Sequence, residues 1–581
     1  MIRKTKIVCT LGPATDKEGV LREMFKAGMN VARFNFSHGS HEEHLGRLNM
    51  VKALREEMDL PIAAMLDTKG PEVRLRNFKN GPVQLKTGQI FTLTAEDIPG
   101  DETQCAISYP ELCQDVKPGD TILLDDGLVR LTVEATGESF IRCRVENDGV
   151  MKDKKGVNVP GVRLAMPYMS QRDREDILFG AQQGFDFIAA SFVRTAEDVR
   201  EIRRLLDSVG SHIRIIAKIE NQEGISNLSE IIAVADGIMV ARGDMGVEID
   251  FTEIPILQKQ MIAMCMASGK PVITATQMLD SMMEHPRPTR AEITDVANAI
   301  FDGTSAIMLS GETAAGKYPV EAVKTMDAIA VKTESQIDLA RQVKQQPEGA
   351  RCSVAAATAH AACTTAADLR ADAIITVSQS GTTAQMVSRF RPKAPVVACL
   401  IDEQVRRQMS MYFGVIPLTM PVAGSTDELV ELAVETAAKA GLVELGDLVV
   451  VTAGVPVGVA GTTNMMRVRL VGDFLLNGTG IGNRNATGRL CVCRSKEELE
   501  RKFRSGDVLV LPYTDNAMLD YIRRASALIC EEAGTNSHAA TVGLTLDKAV
   551  IVGATGAVQR LKDDMLVSVD SQRGIVRRLP E

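Results

Sequence analysis

The sequence predicts an α/β protein whose first part is a closed (β/α)8 barrel, the TIM-barrel fold, and three observations carry that expectation. Eight short Val/Ile/Met-rich runs alternate with helix-like stretches, which implies a parallel sheet closing on itself. Each run is apolar along its length and polar only at its downstream end, as befits a strand buried on both faces. The alternation breaks once, at a stretch dense in short β-like runs and turns, which reads as an all-β insertion.

In chain order the strands are expected at Lys6–Leu11, Asn30–Phe36, Pro61–Asp67, Phe185–Phe192, Arg214–Glu220, Gly237–Asp244, Pro271–Gln277 and Ser305–Gly311. Lys17–Ala27, Ala196–Val209 and Ala291–Phe301 are among the helix-like stretches between them. One run closes in Lys218-Ile219-Glu220 and another in Arg242-Gly243-Asp244. Residues i and i+2 of a strand share a face, so Lys218 and Glu220 project together. A lysine beside one carboxylate, with a second carboxylate one strand away, can hold an anion and a divalent metal together. The plain alternative is a structural ion pair at a sheet edge. The remaining downstream ends carry Arg33, Asn35, Ser37, Asp67, Thr68, Thr276, Ser310 and Glu312. A barrel brings all of these onto one rim, the face where barrel enzymes place their chemistry. That concentration favours an enzyme.

The barrel is expected from residues 1–69 and 170–344. Residues 70–169 sprout from the rim after the third strand and are punctuated by Pro118-Gly119-Asp120, Asp125-Asp126-Gly127 and Asn147-Asp148-Gly149. A domain there can close over the site as a lid and exclude water. Past Lys344 the repeat changes. A helix at Val354–Leu369 and strands at Ala373–Val377, Pro395–Cys399 and Leu448–Thr452 give an α/β domain over 345–472. Gly472–Arg489, with Gly478-Thr479-Gly480-Ile481-Gly482-Asn483, reads as a linker, so that 473–581 is linker plus a last domain. Four domains agree with a length prior of roughly 150 residues each.

Hydrophobic content of 45% and charged content of 24% are ordinary for a soluble globular protein. A net charge of −9 argues against general nucleic-acid or membrane partners, so any basic cluster is a local pocket. Eleven scattered cysteines, an odd number, imply reduced thiols of a cytoplasmic protein. Cys491-Val492-Cys493 has no companion pair with which to form a zinc site. The basic start, Met1–Lys6, precedes only Ile7-Val8-Cys9, too short for a signal-peptide core. No apolar run reaches the roughly 18 residues a membrane span needs.

Asn35-Phe36-Ser37-His38-Gly39, Leu66-Asp67-Thr68-Lys69-Gly70-Pro71-Glu72, Lys218-Ile219-Glu220-Asn221 and Ala241-Arg242-Gly243-Asp244 closely resemble the pyruvate kinase family. Thr274–Met282, Pro286–Glu292 and Met308–Thr313 continue the likeness, which extends over Met1–Val471. The resemblance implies a barrel with an inserted β lid and a C-terminal regulatory α/β domain, in step with the reading above. It also implies phosphoryl transfer from phosphoenolpyruvate to ADP, giving ATP and pyruvate. Both substrates are anions, and a unit charge pair at about 4 Å interacts by roughly 4 kcal/mol at an effective dielectric near 20. One lysine cannot offset several such repulsions.

By that resemblance, Glu220 and Asp244 bind Mg2+ or Mn2+, hard ions suited to carboxylate oxygens. Lys218 stabilises the phosphoryl group in flight and the enolate, and backbone N–H groups of Ala241, Arg242, Gly243 and Asp244 hold the substrate carboxylate. Arg33 and Arg74 are implied as phosphate-binding cations, with Asn35 and His38 in the nucleotide pocket. Asn35, Ser37, Asp67 and Thr68 form a K+ cage, and Glu72 implies K+ dependence. Thr276, with Ser310 and Glu312 behind it, delivers the proton to the enolate or else only orients substrate. Thr195 departs from the family, in which many relatives carry a basic residue associated with ATP.

Regulation is expected in the α/β domain, where Ser378, Ser380, Gly381, Thr382 and Thr383 precede a helix and match the loop that binds sugar-phosphate effectors in relatives, the effector expected here being a sugar phosphate or AMP. Arg389 and Arg391 would add charge, and Ala453–Gly458 would face the same pocket. A homotetramer follows from the resemblance alone, and the chain begins at its first strand without the N-terminal extension of animal relatives. Gly534-Thr535-Asn536-Ser537-His538-Ala539-Ala540 resembles the phosphohistidine domain of phosphoenolpyruvate-using dikinases, an appendage of some bacterial pyruvate kinases. Ala533 and Asn536 depart from that pattern, and no nucleotide-grasp domain is present, so a structural or assembly role is expected of His538. Two other readings are a metal-enolate carbon–carbon lyase or mutase, with Lys218 as a Schiff base, and a binding protein that has lost catalysis.

Overall fold

Eight parallel strands close a barrel in the order in which they occur: β1 (Lys6–Thr10), β2 (Val31–Asn35), β3 (Ala63–Asp67), β4 (Phe187–Ala190), β5 (Arg214–Ile219), β6 (Gly237–Ala241), β7 (Val272–Ala275) and β8 (Ala306–Leu309). The computed structural model describes residues 2–339, 353–455, 463–472 and 474–579. Several helices between the strands begin at capping boxes, with Ser170, Thr195 and Thr289 each accepting from the N–H three residues on.

The period of two divides each strand between two cores. Val8, Val31, Met65, Phe187, Ala189, Ile216, Met239, Ile273 and Met308 point inward and fill the barrel. Ile7, Cys9, Phe34, Leu66, Ile188, Ile215 and Ile307 point outward against the helices. Arg33, Asn35, Asp67, Lys218, Glu220 and Ser310 continue the inward parity past the apolar stretch. The pleat that packs the barrel therefore also aims these polar side chains into its mouth.

The strands are shorter than the apolar runs suggest. The run expected as one strand to Asp244 leaves the sheet after Ala241 and becomes the helix Arg242–Glu248, so Asp244 sits on a helix. Thr276 and Gln277, expected within a strand, have φ of +66° and +53° and turn away from the sheet.

The insertion forms a six-stranded sheet ordered Val157–Asn158, Thr121–Leu124, Val129–Thr136, Phe140–Val145, Ile90–Thr94, Gln104–Ala106. It has its own core of Phe91, Leu93, Ile122, Leu131, Ile141 and Val145. The α/β domain holds a five-stranded sheet ordered Val415–Thr419, Val396–Leu400, Ala373–Val377, Leu448–Gly454, Thr463–Leu470. The expected boundary at 344/345 and residues 456–458 of the expected effector pocket lie outside the described residues.

The chain separates into two units, Met1–Ala437 with Val450–Arg467, and Ala438–Val449 with Val468–Glu581. The second contains an eight-stranded sheet whose central strands, Asn485–Val492, Val508–Leu511, Ala527–Cys530 and Ala549–Val552, run parallel. The linker expectation over Gly472–Arg489 is corrected here. Leu476–Asn477, Thr479–Ile481 and Asn485–Val492 are all strands of this sheet. The glycines serve close approach: a Cβ on Gly480 would stand 1.9 Å from the Ser571 carbonyl oxygen. No helix among the described residues is long and apolar enough to cross a membrane.

Candidate active site

Register assembles the rim. Asn35 pairs with Asp67 across β2 and β3, and Asp67 pairs with Ala189 across β3 and β4. The polar residues that end these strands therefore meet at the barrel mouth. Asp67 is the hub: Oδ2 accepts from Arg33 Nε at 2.6 Å, while Oδ1 lies 3.1 Å from Lys218 Nζ and 3.1 Å from Ser191 Oγ. Lys218 Nζ also donates to Ser191 Oγ at 2.7 Å and lies 3.0 Å from Glu220 Oε1. Arg33 is fixed a second time by Thr10 Oγ1 at 2.9 Å.

Burial sets the charge states. Asp67 and Glu220 are fully enclosed, and Lys218 is nearly so. Burial works against the charge on Asp67, but Arg33 and Lys218 outweigh it and hold the carboxyl below its usual range. Burial likewise opposes charge on Lys218, yet Asp67 and Glu220 keep its ammonium above its usual range. Glu220 is the strained member. Burial pushes its carboxyl up to about 8 in spite of Lys218. Its Oε2 accepts from the Phe192 N–H at 2.6 Å, whereas Oε1 accepts no hydrogen bond although it is buried. Oε1, buried with the Lys218 ammonium 3.0 Å away, is a carboxylate oxygen of the kind that suits a hard cation.

Next to this cluster lies a cleft of about 300 Å3 between the barrel rim and the insertion. Glu72, Asp126, Glu223, Asp244 and Glu248 line it, with only Arg163 and Arg194 as cations. Arg163 lies 3.2 Å from Glu223, and Arg194 points at backbone carbonyls. An anionic substrate entering so acidic a cleft needs added cations.

The other expected residues are held by contacts of their own. The Arg242 guanidinium bonds the carbonyls of Ala275 and Thr276 and the Asp295 carboxylate, pinning the turn that carries Thr276. Thr276 Oγ1 accepts from the Gly243 N–H at 2.8 Å and donates to the Ala275 carbonyl. Glu312 accepts from the N–H groups of Leu279 and Ser310, burial raises its pKa, and the Ser310 hydroxyl is buried without a partner. Asn35 Oδ1 accepts from the Ser37 N–H at 3.1 Å, and Thr68 Oγ1 accepts from the Ser191 N–H. Arg74 is held by Glu72 in a two-pronged pair at 2.8 and 2.7 Å. His38 is exposed on the loop after β2, and its carbonyl is tied to His44. Thr195 caps the helix Ala196–Ser208, which gives this departure from the family a structural role.

Ser191 and the Phe192 N–H were missed from the sequence. Ser191 is a polar residue at the downstream end of a strand, the same signal that exposed Lys218. Among the described residues no group of three or more His, Cys, Asp or Glu is arranged to hold a metal, and Cys491 and Cys493 are a buried thiol pair 3.6 Å apart.

In the α/β domain, Gly381 turns with φ +77° into the helix Thr382–Arg389, and the Ser380 and Thr382 hydroxyls meet at 2.8 Å. The Thr383 hydroxyl is buried and meets Thr463 Oγ1 at 2.7 Å. The suggestion that Arg391 adds charge there is overturned. Arg391 is buried 4.0 Å over the Phe413 ring and bonds the carbonyls of Gly303 and Thr304. Arg389 closes the same eight-residue helix that Thr382 opens, about 10 Å away at 1.5 Å per residue.

In the second unit His538 opens the helix His538–Thr545 behind the Ser537 cap. Both ring nitrogens are occupied, Nδ1 by Thr514 Oγ1 at 3.0 Å and Nε2 by Asn516 Oδ1 at 3.1 Å.

Three comparisons bear on this arrangement. Residues 2–323 match the family model described as pyruvate kinase, barrel domain; 356–469 match pyruvate kinase, alpha/beta domain; and 503–574 match PEP-utilising enzyme, mobile domain. A pyruvate kinase of Geobacillus stearothermophilus is 50% identical over 581 residues, covering 100% of this chain and 99% of its own. One from Bacillus licheniformis is 48% identical over 578 residues, 99% of each chain. The crystal structure of a pyruvate kinase from Cryptosporidium parvum superimposes with a TM-score of 0.76 at 37% identity, covering 81% of this chain and 96% of the other.

Proposed function

The chain belongs to the pyruvate kinase family, and from that premise we propose how its own residues divide the labour of moving a phosphoryl group from phosphoenolpyruvate to ADP. The observation that carries the reading is the buried Arg33–Asp67–Lys218–Glu220 cluster beside an acidic cleft. Glu220 and Asp244 would hold a divalent cation, Mg2+ or Mn2+, whose bound charge offsets the repulsion among the substrate anions. Lys218 and Arg33 bring fixed positive charge to the phosphoryl oxygens, and their shared hub, Asp67, keeps both from reorienting as charge moves.

Loss of the phosphoryl group leaves an enolate, which takes a proton at carbon to become pyruvate. Thr276, steadied by Gly243 N–H and Arg242, with Ser310 and Glu312 behind it, is the group we assign to that delivery. Lys218 is unsuited to Schiff-base chemistry, which needs a neutral amine, because the Asp67 carboxylate 3.1 Å away favours its charged form.

Asn35, Ser37, Asp67 and Thr68 supply oxygens for K+, and Asn35, His38 and Arg74 flank the nucleotide. The loop Ser378–Thr383 is assigned to a phosphorylated effector, a sugar phosphate or AMP. For the homotetramer, support comes from exposed Ile293 and Phe301, eight positions apart on the helix Arg290–Asp302, and exposed Ile256 on the neighbouring helix. A cytoplasmic setting fits the ten described cysteines, all of them free thiols.

The test is ADP-dependent pyruvate formation from phosphoenolpyruvate with Mg2+, with and without K+, in the wild type and Lys218→Met. The variant is expected to lose about 10³-fold or more in kcat, on the scale of a lost charge stabiliser. Comparable turnover in Lys218→Met would remove the rim cluster from the chemistry.

A further inference from the structure

The loop Ser191–Arg194, which follows β4, touches the catalytic cluster on one side and both ends of the insertion on the other. Toward the barrel mouth, Ser191 Oγ takes a hydrogen bond from Lys218 Nζ and gives one to the Thr68 carbonyl at 2.7 Å, while the Phe192 N–H holds Glu220. Toward the insertion, the outgoing chain crosses at Gly70, where a Cβ would stand 2.9 Å from the Ser191 carbonyl oxygen. The returning chain is bound twice. The Tyr168 hydroxyl, buried, donates to that same Ser191 carbonyl at 3.0 Å. Arg194 donates from its two terminal nitrogens to the carbonyls of Leu164 at 3.1 Å and Met166 at 3.0 Å.

Two features make the loop rigid. The Arg194 carbonyl accepts from Asn227 Nδ2 at 2.9 Å, and its N–H is held by Asp198 at 2.8 Å. Phe192 has φ +53°, a conformation that a bulky residue keeps only where its surroundings enforce it. A displacement of the returning chain cannot be absorbed by slack in such a loop. It passes to Ser191 Oγ and the Phe192 N–H, and so to the groups that orient Lys218 and Glu220.

We propose that Arg194 is a positioning residue that couples the lid to the catalytic cluster, so that closure of the lid and placement of Lys218 and Glu220 are one mechanical event. The proposal rests on the assignment of Lys218 and Glu220 above. Planarity matters to it: a guanidinium serves two carbonyls in a fixed fork, which the single ammonium of a lysine cannot reproduce. A misplacement of about 1 Å at a reacting group can cost on the order of 100-fold in rate, so a modest slip of the loop is kinetically visible.

The chain contains no tryptophan, so one introduced at Leu128, exposed at the hairpin tip beside the cleft, reports on the lid alone. In that background Arg194→Lys, Arg194→Met and Tyr168→Phe are compared for kcat, for the fluorescence change on adding Mg2+ and phosphoenolpyruvate, and for Tm. The expected result is a joint decline of signal amplitude and kcat, smaller in Arg194→Lys and about tenfold or more in kcat for Arg194→Met. Should Arg194→Met fail to fold, the other two variants carry the comparison. A variant that loses turnover at full amplitude, or amplitude at full turnover, overturns the coupling, as does wild-type behaviour of every folded variant. Activity retained in Lys218→Met would instead sink the underlying assignment, a separate outcome.

Discussion

The barrel mouth and the His538 loop each present a basic side chain among hydrogen-bond partners, and the partners differ in kind. Lys218 is buried between two carboxylates and a hydroxyl that is itself anchored, and Arg33 shares its hub. His538 is half-buried and meets only neutral oxygens, those of Thr514 and Asn516. Charge held against desolvation is expensive, and a fold keeps it where the charge is used. Neutral partners at a helix start are what capping and packing need. The first region therefore carries the mark of a site that handles anions, and the second that of a loop fixed in place.

The largest effect that sharpens this contrast lies at Glu220. Its Oε1 is buried against the Lys218 ammonium at 3.0 Å, and burial raises its carboxyl to about 8. Glu220→Gln keeps the shape and the acceptor for the Phe192 N–H while removing the ionisable group that a bound cation would draw into its charged form. Turnover with Mg2+ should drop by about 10²–10³-fold, the scale of a lost electrostatic group in a closed site. Raising Mg2+ should restore little of it. Near-wild-type kcat in Glu220→Gln at ordinary Mg2+ would break the comparison, because the strained carboxylate would then be doing nothing that a neutral amide cannot do.

Glu72 tests the same region with a smaller effect. It lines the acidic cleft and pairs with Arg74 through both carboxylate oxygens. If the mouth lacks cations, a lysine at this position supplies one, and Arg74 is released from its partner. The ratio of activity with K+ to activity with tetramethylammonium should fall toward one in Glu72→Lys. Wild-type activity that is equal in the two salts would already defeat the idea.

What could be read from the chain differs between the two regions for a physical reason. At the barrel, a strand that is apolar until its last residues announces both the sheet and the rim, and Lys218, Glu220, Asp67 and Arg33 were legible from that rule alone. Ser191 obeys the rule too, but a lone serine carries no charge to draw attention. Arg242 was legible as a rim residue, but its partners were not, because the turn it pins has a positive φ at Thr276 that no pattern of hydrophobicity records. Arg391 failed for a similar reason: a basic residue after a helix looks solvent-exposed, and only packing against Phe413 hides it. In the second unit Gly478 and Gly480 looked like slack in a linker. They are places where two backbones cross too closely for any side chain, and composition alone does not separate these two uses of glycine.

The smallest expected effect is at His538, where it tests the other half of the comparison. A phosphorylated imidazole needs one nitrogen free to bond phosphorus, and here Thr514 and Asn516 occupy both. Breaking either bond costs on the order of 1 kcal/mol, and among the described residues the ring's hydrogen bonds go to neutral oxygens. Incubation with phosphoenolpyruvate should therefore leave no acid-labile phosphate on His538, and His538→Ala should keep kcat within about twofold, since it removes two neutral hydrogen bonds and no charge pair. The Thr514→Val variant raises the stakes, because it frees Nδ1 without touching the ring. If phosphate appears on His538 in the wild type, the neutral loop is a working site. If it appears only in Thr514→Val, the clamp itself is what separates the two regions.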